Sequence, residues 1–330
     1  MNVLAAAMVT VLATSGSTDT TLSVAQGARL EVSNYAGSVS VSTWTRDAVR
    51  VRADRDRRTR ITLESEPTRL GIKSEGEYGP AGQVDFDITV PAWMPLNISG
   101  PFSDVDVTGT KSDVKVETVK GDVSVSGGSG YLDLSTVQGD LSVEGAKGRL
   151  KLNAVNEGIT VARSTGQIEA ESVNGDLVLD DVQLDAVDAS TVSGDLWFNG
   201  TLKSGGRYQL KSHSGDIDVV VPEKPSVTVT VSTFSGEFAS DFEVTFTGTR
   251  GHRELGFTLG SGASQLDLES FSGDVHLFKS SAVEAMRQEI RRRNHGEGMP
   301  APPAPQKTPK PPKPAKPPAP PKDKSGNEED

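Results

Sequence analysis

TVQGDLSVEG, residues 136–145, is one of a series of near-copies along this chain. Each copy contains Ser or Thr, a hydrophobic or aromatic residue, a polar spacer, Gly and Asp, and then apolar residues in alternation. The other copies are TVKGDVSVSG (118–127), SVNGDLVLDD (172–181), TVSGDLWFNG (191–200), SHSGDIDVVV (212–221) and SFSGDVHLF (270–278). Such a repeat is interpreted before any other feature because it indicates a stacked, repetitive architecture.

The spacing of the copies predicts a β-solenoid. Glycines recur about every nine residues, but Asp follows only every second one, so the true period is about eighteen, as from Gly121 to Gly139. A coil with two short strands and two turns has about this length, and successive coils would stack about 4.8 Å apart. Gly194, Gly215 and Gly236 follow at equal but wider intervals, so later coils lengthen. We therefore predict an all-β fold, a parallel β-solenoid or β-helix with about 18–21 residues per coil.

The repeat occupies residues 101–280, and residues 16–100 form a β-rich lead-in without a tight repeat. Strands such as SVSVSTW alternate apolar and polar residues, which is typical of half-buried strands. The alternative is a β-sandwich, whose strands also recur every 8–12 residues. A sandwich does not require the residues themselves to repeat, so the solenoid is favoured.

Residues 281–295 change to a helical period. Ser281 and Glu284 form a capping box, and apolar residues follow at helical spacing. We predict an amphipathic helix that caps the open end of the stack, since an uncovered end is an aggregation-prone edge. The alternative is a helix that binds a partner or a membrane surface, which the arginines at 291–293 favour.

Residues 296–330 are rich in Pro and Lys and poor in core-forming residues. We predict a disordered, extended tail of polyproline-II character with net positive charge before its acidic end. It would serve either as a solubilising linker or as a spacer that reaches through an anionic wall layer.

Residues 1–15 are predicted to be a signal peptide. An apolar run from Val3 to Ala13 suits the hydrophobic region of an export signal and is too short to span a bilayer. No Lys or Arg precedes the run, so a first strand or a start codon placed late are the alternatives. An export signal implies an extracytoplasmic location, in the periplasm, in the cell envelope or secreted.

Composition narrows the function classes. The chain has 330 residues, a formal net charge of −11 and no cysteine. An acidic chain does not match a dedicated nucleic-acid binder, which is usually basic. The lack of cysteine excludes disulfides, thiolate metal sites and cysteine nucleophiles.

The repeated Gly-Asp pairs are interpreted as structural turns. Gly permits positive φ at the corner, and Asp accepts a hydrogen bond from a neighbouring backbone N–H in an Asx-type turn. The predicted turn residues are Gly121, Asp122, Gly139, Asp140, Gly175, Asp176, Gly194, Asp195, Gly215, Asp216, Gly273 and Asp274. The alternative is a row of Ca²⁺ ligands, which would need both residues in nearly every coil.

The sequence offers no candidate active site. The four histidines, His213, His252, His276 and His295, lack metal-ligand spacing. His213 takes the hydrophobic position of its copy and is expected to be half-buried. There is no nucleophile elbow, P-loop or dinucleotide motif. We predict no catalytic residue, no cofactor and no metal; a carbohydrate-active β-helix with paired carboxylates is the less favoured alternative.

An arginine cluster is conspicuous in this acidic chain and could contact an anionic surface such as phospholipid or wall polymer. Its members are Arg50, Arg52, Arg55, Arg57, Arg58 and Arg60. The alternative is a solvated face that Asp54 and Asp56 partly neutralise.

The copies TVKGDVSVSG, TVQGDLSVEG, SVNGDLVLDD, TVSGDLWFNG and SFSGDVHLF resemble the bacterial β-strand-repeat proteins called putative adhesins, a domain family of unknown function. The resemblance covers roughly residues 25–280. It implies an extracytoplasmic β-solenoid and carries no catalytic or binding residues. The pattern is also similar to bactofilins, which are short-coil β-helices with Pro-rich tails that polymerise in the cytoplasm.

The sequence thus predicts a non-enzymatic, exported β-solenoid that acts as an adhesin-like surface or cell-envelope binding and scaffold module. The partner stays open between a cell-wall or surface polymer and another envelope protein. Neither nucleic acid nor a transmembrane span in the mature chain is expected. The main alternative is a bactofilin-like polymer assembled end to end, which a C-terminal capping helix would block.

Overall fold

The computed structural model describes residues 7–9, 17–245 and 254–283. Apolar and polar residues alternate in the strands, because successive side chains of a strand point to opposite faces. Within these residues the strands are β1 (Ala7–Val9), β2 (Ser17–Ser23), β3 (Arg29–Ser33), β4 (Ala36–Trp44), β5 (Ala48–Arg55), β6 (Thr59–Glu66), β7 (Arg69–Gly76), β8 (Gln83–Pro91), β9 (Leu96–Gly100), β10 (Phe102–Thr108), β11 (Val114–Thr118), β12 (Val123–Ser126), β13 (Tyr131–Ser135), β14 (Leu141–Glu144), β15 (Lys147–Asn153), β16 (Ile159–Ala162), β17 (Thr165–Ser172), β18 (Leu177–Ser193), β19 (Leu196–Gly200), β20 (Arg207–Ser214), β21 (Ile217–Val221), β22 (Val227–Ser235), β23 (Phe238–Ser240), β24 (Glu254–Leu259), β25 (Ser264–Ser272) and β26 (Val275–Lys279).

The strands form two sheets, and each coil contributes one strand to each. Sheet A has the order β1-β6-β7-β3-β9-β11-β13-β15-β17-β18-β20-β25-β22-β24. Sheet B has the order β2-β5-β8-β4-β10-β12-β14-β16-β18-β19-β21-β26-β23. The first part of β18 pairs in sheet B and its second part in sheet A, so this strand joins the two.

The regular coils are parallel and in register. Val114 pairs with Leu132, and Leu132 pairs with Leu150, so each partner lies one full period of the repeat further along the chain. In the later part this step lengthens, as the pairing of Leu196 with Ile217 shows. Apart from the short helical stretch at residues 280–283, the described part of the chain is therefore all-β and solenoid-like, as its repeat predicts.

The core lies between the two sheets. Inward-facing Val, Leu and Ile side chains form one continuous cluster along the stack. In one coil Leu132, Leu134, Leu141 and Val143 are at most 1% exposed. Burial of each such side chain stabilises the fold by about 1.5–3 kcal/mol before the entropy cost of ordering the chain.

At the N-terminal end the chain reverses before the regular coils begin. After the coil of β3 and β4, β5 and β6 run antiparallel to their neighbours, and β7 and β8 form a coil outside β3 and β4. β9 and β10 then return to the inner side of β3 and β4. The strands before residue 100 thus belong to the same two sheets as the repeat.

At the C-terminal end the coil order also departs from the sequence. β25 and β26 lie between the coil of β20 and β21 and the coil of β22 and β23. β24 pairs antiparallel with β22 at the edge of sheet A. Among the described residues, antiparallel strands therefore lie at both ends of this sheet.

Three predictions fall wholly or partly outside the described residues. Residues 280–283 are helical, but the rest of the predicted capping helix, up to residue 295, lies outside, as does the tail at 296–330. β1 lies within the predicted signal peptide and pairs antiparallel with Leu63, Glu64 and Ser65. A first strand is the alternative that the sequence left open for this segment. The other residues of that segment are not described. In the described ranges, none of the helical residues make a helix long and apolar enough to cross a membrane.

Candidate binding surface at the coil corner

Each regular coil passes from sheet A to sheet B through the repeated motif, and the motif reverses the usual placement of polar and apolar side chains. Thr136 is 3% exposed, whereas Val137 beside it is 38% exposed. The Thr136 hydroxyl donates a hydrogen bond to the carbonyl of Gly121 in the preceding coil, at 3.3 Å. This bond to the neighbouring coil holds the polar residue inward, and the apolar residue beside it faces outward.

The same bond recurs at the other corners, at 3.0–3.4 Å. The pairs are Thr118 with Ser103, Ser172 with Glu157, Thr191 with Gly175, Ser212 with Gly194, and Ser270 with Gly215, the second residue accepting through its carbonyl. The Ser or Thr of the motif therefore joins adjacent coils.

The glycines are required because backbones pass close to one another at the corner. Gly139 has φ +148°, and a Cβ there would collide with the carbonyl oxygen of Gly121. A similar collision with a neighbouring coil's carbonyl would occur at Gly121, Gly175, Gly194, Gly215 and Gly273. These glycines align along the stack, and no side chain projects at their positions.

The aspartates that follow the glycines bond to the next coil. Asp122 Oδ1 accepts a hydrogen bond from the backbone N–H of Asp140 at 2.9 Å, and Asp140 Oδ1 accepts one from Gly158 at 3.2 Å. The carboxylate row consists of Asp104, Asp122, Asp140, Asp176, Asp195, Asp216 and Asp274, each with such a bond to the neighbouring coil. The sequence led us to expect the acceptor role within one turn, and the structure shows it between coils.

The predicted alternative of a calcium row gains no geometric support. Among the described residues no group of three or more His, Asp or Glu side chains is arranged to hold a metal ion. The described carboxylates of the row use Oδ1 as backbone acceptors, which is a structural task.

The outward-facing residues of the motif form an exposed apolar line, which we call the corner ridge. Most of them are between 37% and 53% exposed, and the ridge comprises Tyr35, Val119, Val137, Val173, Val192, His213, Phe271 and Phe234. The coils from that of Tyr35 to that of Phe234 number ten, because two coils between them add no residue to the ridge. The nine steps of about 4.8 Å between these coils give a length of about 43 Å. Most of the large exposed hydrophobic side chains of the described chain lie on this line.

The ridge ends in an aromatic stack. His213 and Phe271 have ring centroids 4.8 Å apart at an interplanar angle of 14°, and Phe271 and Phe234 lie 4.7 Å apart at 7°. His213 is exposed, so the expectation of a half-buried residue was wrong. The reason is that the hydrophobic position of the motif faces solvent in the coils that carry it.

Two shallow grooves flank the ridge. One, of about 440 Å³, adjoins the aromatic stack and includes the Lys211–Glu269 ion pair, whose charged atoms are 3.2 Å apart. The other, of about 770 Å³, is lined by Gly121, Gly139 and three carboxylates of the row, Asp104, Asp122 and Asp140. Both are open surfaces of the kind that accommodates an extended ligand.

His276 lies away from the corner, on the outer side of sheet B. Its Nδ1 is 2.9 Å from Asp218 Oδ1. Burial raises the pKa of the Asp218 carboxyl, and the hydrogen bond from His276 opposes that rise. His252 and His295 lie outside the described residues.

The arginines of the cluster differ in their contacts and in their exposure. Arg50 forms a bidentate pair with Asp19, at 2.9 and 2.6 Å, and Arg52 lies 3.5 Å from both Asp19 and Asp87. These hydrogen bonds lower the pKa of the Asp19 carboxyl. The Arg55 guanidinium donates to the Thr59 carbonyl. Arg57, Arg58 and Arg60 are exposed at the turn into β6 and along it.

The ridge was not among the sequence predictions, which named only the turn residues and the arginine cluster. The available signal was the hydrophobic position that follows Ser or Thr in the copies, which carries Val at four corners and an aromatic ring at three; Tyr35, which follows Asn34, lacks this signal. An apolar residue in a turn is informative when it recurs in the copies, because turns are otherwise polar.

Comparisons with known proteins concern the fold. Residues 149–278 match the family model described as Toastrack DUF4097, which supports the resemblance at the level of a domain family. No curated protein matches the chain. The crystal structure of a putative adhesin from Bacteroides fragilis NCTC 9343 is 12% identical with a TM-score of 0.41, over 80% of this chain and 96% of that chain. One from Parabacteroides distasonis ATCC 8503 is 14% identical with a TM-score of 0.38, over the same shares.

Proposed function

We propose that this protein is a non-enzymatic, exported β-solenoid that acts as an adhesin-like surface or cell-envelope binding and scaffold module. The observation that carries the proposal is the corner ridge. Contiguous exposed apolar surface on a soluble domain marks an interaction site more often than chance exposure does. Here it is about 43 Å long and has a member in eight of the ten coils that it spans, on a scaffold with a continuous apolar core.

A binding role also agrees with how the polar groups are used. The hydroxyls and carboxylates of the corner bond to backbone groups of neighbouring coils. A glycosidase acid needs a carboxyl in an apolar pocket, whereas Asp122 and Asp140 lie at an exposed corner. The carboxylates of the corner therefore give the carbohydrate-active alternative no support.

The polymer alternative is also less favoured. End-to-end growth would extend the parallel pairing from one chain to the next, but β6 and β24 run antiparallel to their neighbours near the two ends of sheet A. The antiparallel pairing interrupts the parallel ladder at these two edges of sheet A.

Two measurements test the proposal. Cell fractionation with intact-mass analysis should find the protein outside the cytoplasm with an N-terminus close to residue 16. An intact Met1 in the cytoplasm would contradict export and favour the polymer, which sedimentation would reveal as filaments.

The second measurement is cosedimentation of the purified protein with isolated bacterial cell envelopes. We expect the wild type to pellet and the Val137→Ser, Val173→Ser, Val192→Ser variant to stay in the supernatant. The matched control is Tyr131→Ser, because Tyr131 is 40% exposed but lies away from the corner. Equal sedimentation of all three proteins would reject the ridge as the contact surface.

A further inference from the structure

The corner has two parallel lines of different chemistry. In one coil Val137 is exposed on one side of Gly139, and Asp140 is exposed on the other. The spacer Gln138 and its equivalents Lys120 and Asn156 line the groove together with Asp104, Asp122 and Asp140 of the carboxylate row. A ligand on this surface would meet apolar side chains on one side and carboxylates on the other.

The repeat distance selects the conformation of such a ligand. A polyproline-II helix rises about 3.1 Å per residue with three residues per turn, so one turn spans about 9.3 Å. Two coils of the solenoid span about 9.6 Å. An extended strand repeats every two residues, about 6.7 Å, and an α-helix about every 5.4 Å. The polyproline-II helix therefore stays in step with the corner over several turns, and the other two conformations do not.

The negative charge of the corner favours a ligand with basic side chains. The carboxylate row has one member in each coil from Asp104 to Asp274 except the coil of Gly158, and the whole chain carries a formal net charge of −11. A cation at every third residue of a polyproline-II segment would fall beside every second coil, and in one register it would meet Asp104, Asp140, Asp176 and Asp216 in turn. Lys120 also borders the groove, in the same coil as Asp122, so the acidic edge is strongest from Asp140 onward.

The same charge argues against a second copy of this surface as the occupant. Two corners packed together would place two carboxylate rows against each other, and like charges in proximity oppose association. An extended peptide with cations avoids this repulsion, and its apolar residues can cover the ridge. Aromatic-lined grooves are a known mode of binding for such segments because little ordering entropy is lost.

We propose that the corner binds an extended segment of a partner protein in the polyproline-II conformation, with Lys at every third residue and Pro or another apolar residue between. The ridge provides the apolar contact, and the carboxylate row provides the charge. This inference rests on the proposed function, since it names the partner of the same surface.

The test is the binding of a fluorescent (Lys-Pro-Pro)5 peptide, about 46 Å long in this conformation, followed by anisotropy. The full chain should bind it, and the Val137→Ser, Val173→Ser, Val192→Ser variant should bind at least about tenfold more weakly. The variant Asp122→Asn, Asp140→Asn, Asp176→Asn removes three charges but keeps a side-chain acceptor for each backbone N–H. It should lose about tenfold in affinity at low salt and less at high salt.

Control variants and peptides separate the proposal from unspecific attraction. Tyr131→Ser and Asp188→Asn change exposed residues away from the corner and should bind like the wild type. The peptides (Glu-Pro-Pro)5 and (Lys-Gly-Ser)5 test charge and conformation in turn, and neither should bind. Residues 307–316 of this chain have the same lysine spacing, so a chain ending at residue 298 is measured alongside to remove competition.

The outcomes are distinguishable from those of the proposed function. Equal binding of the flexible lysine peptide, or unchanged binding by either corner variant, would overturn the inference. Envelope binding without peptide binding would also overturn it and would leave the proposed function standing. Peptide binding that depends on the corner, in a protein that does not bind envelopes, would support the inference and reject the envelope role.

Discussion

His213 and Phe271 stack face to face with ring centroids 4.8 Å apart, although strands β21 to β24 separate them in the sequence. Their separation is that of neighbouring strands, because Ser212 pairs with Ser270 and Ser214 pairs with Ser272 in sheet A. Phe234 then stacks on the other face of Phe271. The order along the stack is therefore His213, Phe271 and Phe234, because β25 lies between β20 and β22 in sheet A. A linear count of repeats would place Phe271 after Phe234.

Exchanging polarity at the corner should show that the motif is polar inside and apolar outside. Thr136→Val leaves the Gly121 carbonyl without its hydroxyl donor, and we expect a loss of about 1–2 kcal/mol in the free energy of unfolding. Val137→Thr changes an exposed side chain and should stay within about 0.5 kcal/mol of the wild type. Urea denaturation measures both. Thr136→Ser keeps the donor and is the control; a Thr136→Val protein as stable as the Ser variant would contradict the role of the hydroxyl.

A side chain at Gly139 should be poorly tolerated. Gly139→Ala combines an unfavourable φ of +148° with a collision against the Gly121 carbonyl, and we expect a loss of about 3 kcal/mol or more. Gly205 has φ +76° with open space around its Cβ position, so Gly205→Ala should cost only about 1 kcal/mol. Thermal melts of the two variants provide the comparison. Equal losses would mean that the close approach of coils is not what requires glycine.

Removing one carboxylate of the row should weaken the contact between coils. Asp140→Ala deprives the Gly158 N–H of its acceptor, and about 1 kcal/mol of stability should be lost. Asp140→Asn retains a carbonyl oxygen and should lose less. Asp188→Ala, at an exposed position of sheet A, is the matched control. Addition of chelator should leave the unfolding midpoint of the wild type unchanged. A midpoint that falls with chelator and is restored by calcium would support the alternative of a calcium site.

Glu31 should make part of the stability depend on acid pH. Burial raises the pKa of its carboxyl, but hydrogen bonds from Arg69 and Arg29 outweigh this effect and hold the pKa below the ordinary value of 4.5. Because the folded-state pKa is lowered, the stabilisation is complete above the ordinary value and is lost as pH falls through the folded-state value.

The measurement is the difference in unfolding free energy between wild type and Glu31→Gln as a function of pH. We expect about 1 kcal/mol near neutral pH, since the side chains are partly exposed, and a difference that vanishes in acid. Glu171→Gln, at an exposed position, should give a flat difference. A constant deficit for Glu31→Gln would show that the charge is not involved.

Much of the fold could be predicted because its cause is local and repeated. Alternation of Val and Leu with polar residues set the strands, and the regular spacing of Gly121 and Gly139 set the coil. Those signals depend only on the period of a strand and on the conformational freedom of glycine. The candidate surface was less accessible, since the exposure of Val137 depends on which way a turn residue points, and that is settled by the inward bond of Thr136 to another coil.

The sequence by itself determined that the chain is a repetitive all-β stack with glycine corners and an apolar core, because hydrophobic periodicity and turn chemistry act within a few residues. Only the tertiary structure decided the order of the coils at both ends, the bonding of Asp122 to the next coil, and the alignment of single exposed residues into a ridge. The physical reason is that parallel pairing in register adds one residue from each coil to the same line, so a surface forms from positions that are far apart in the chain.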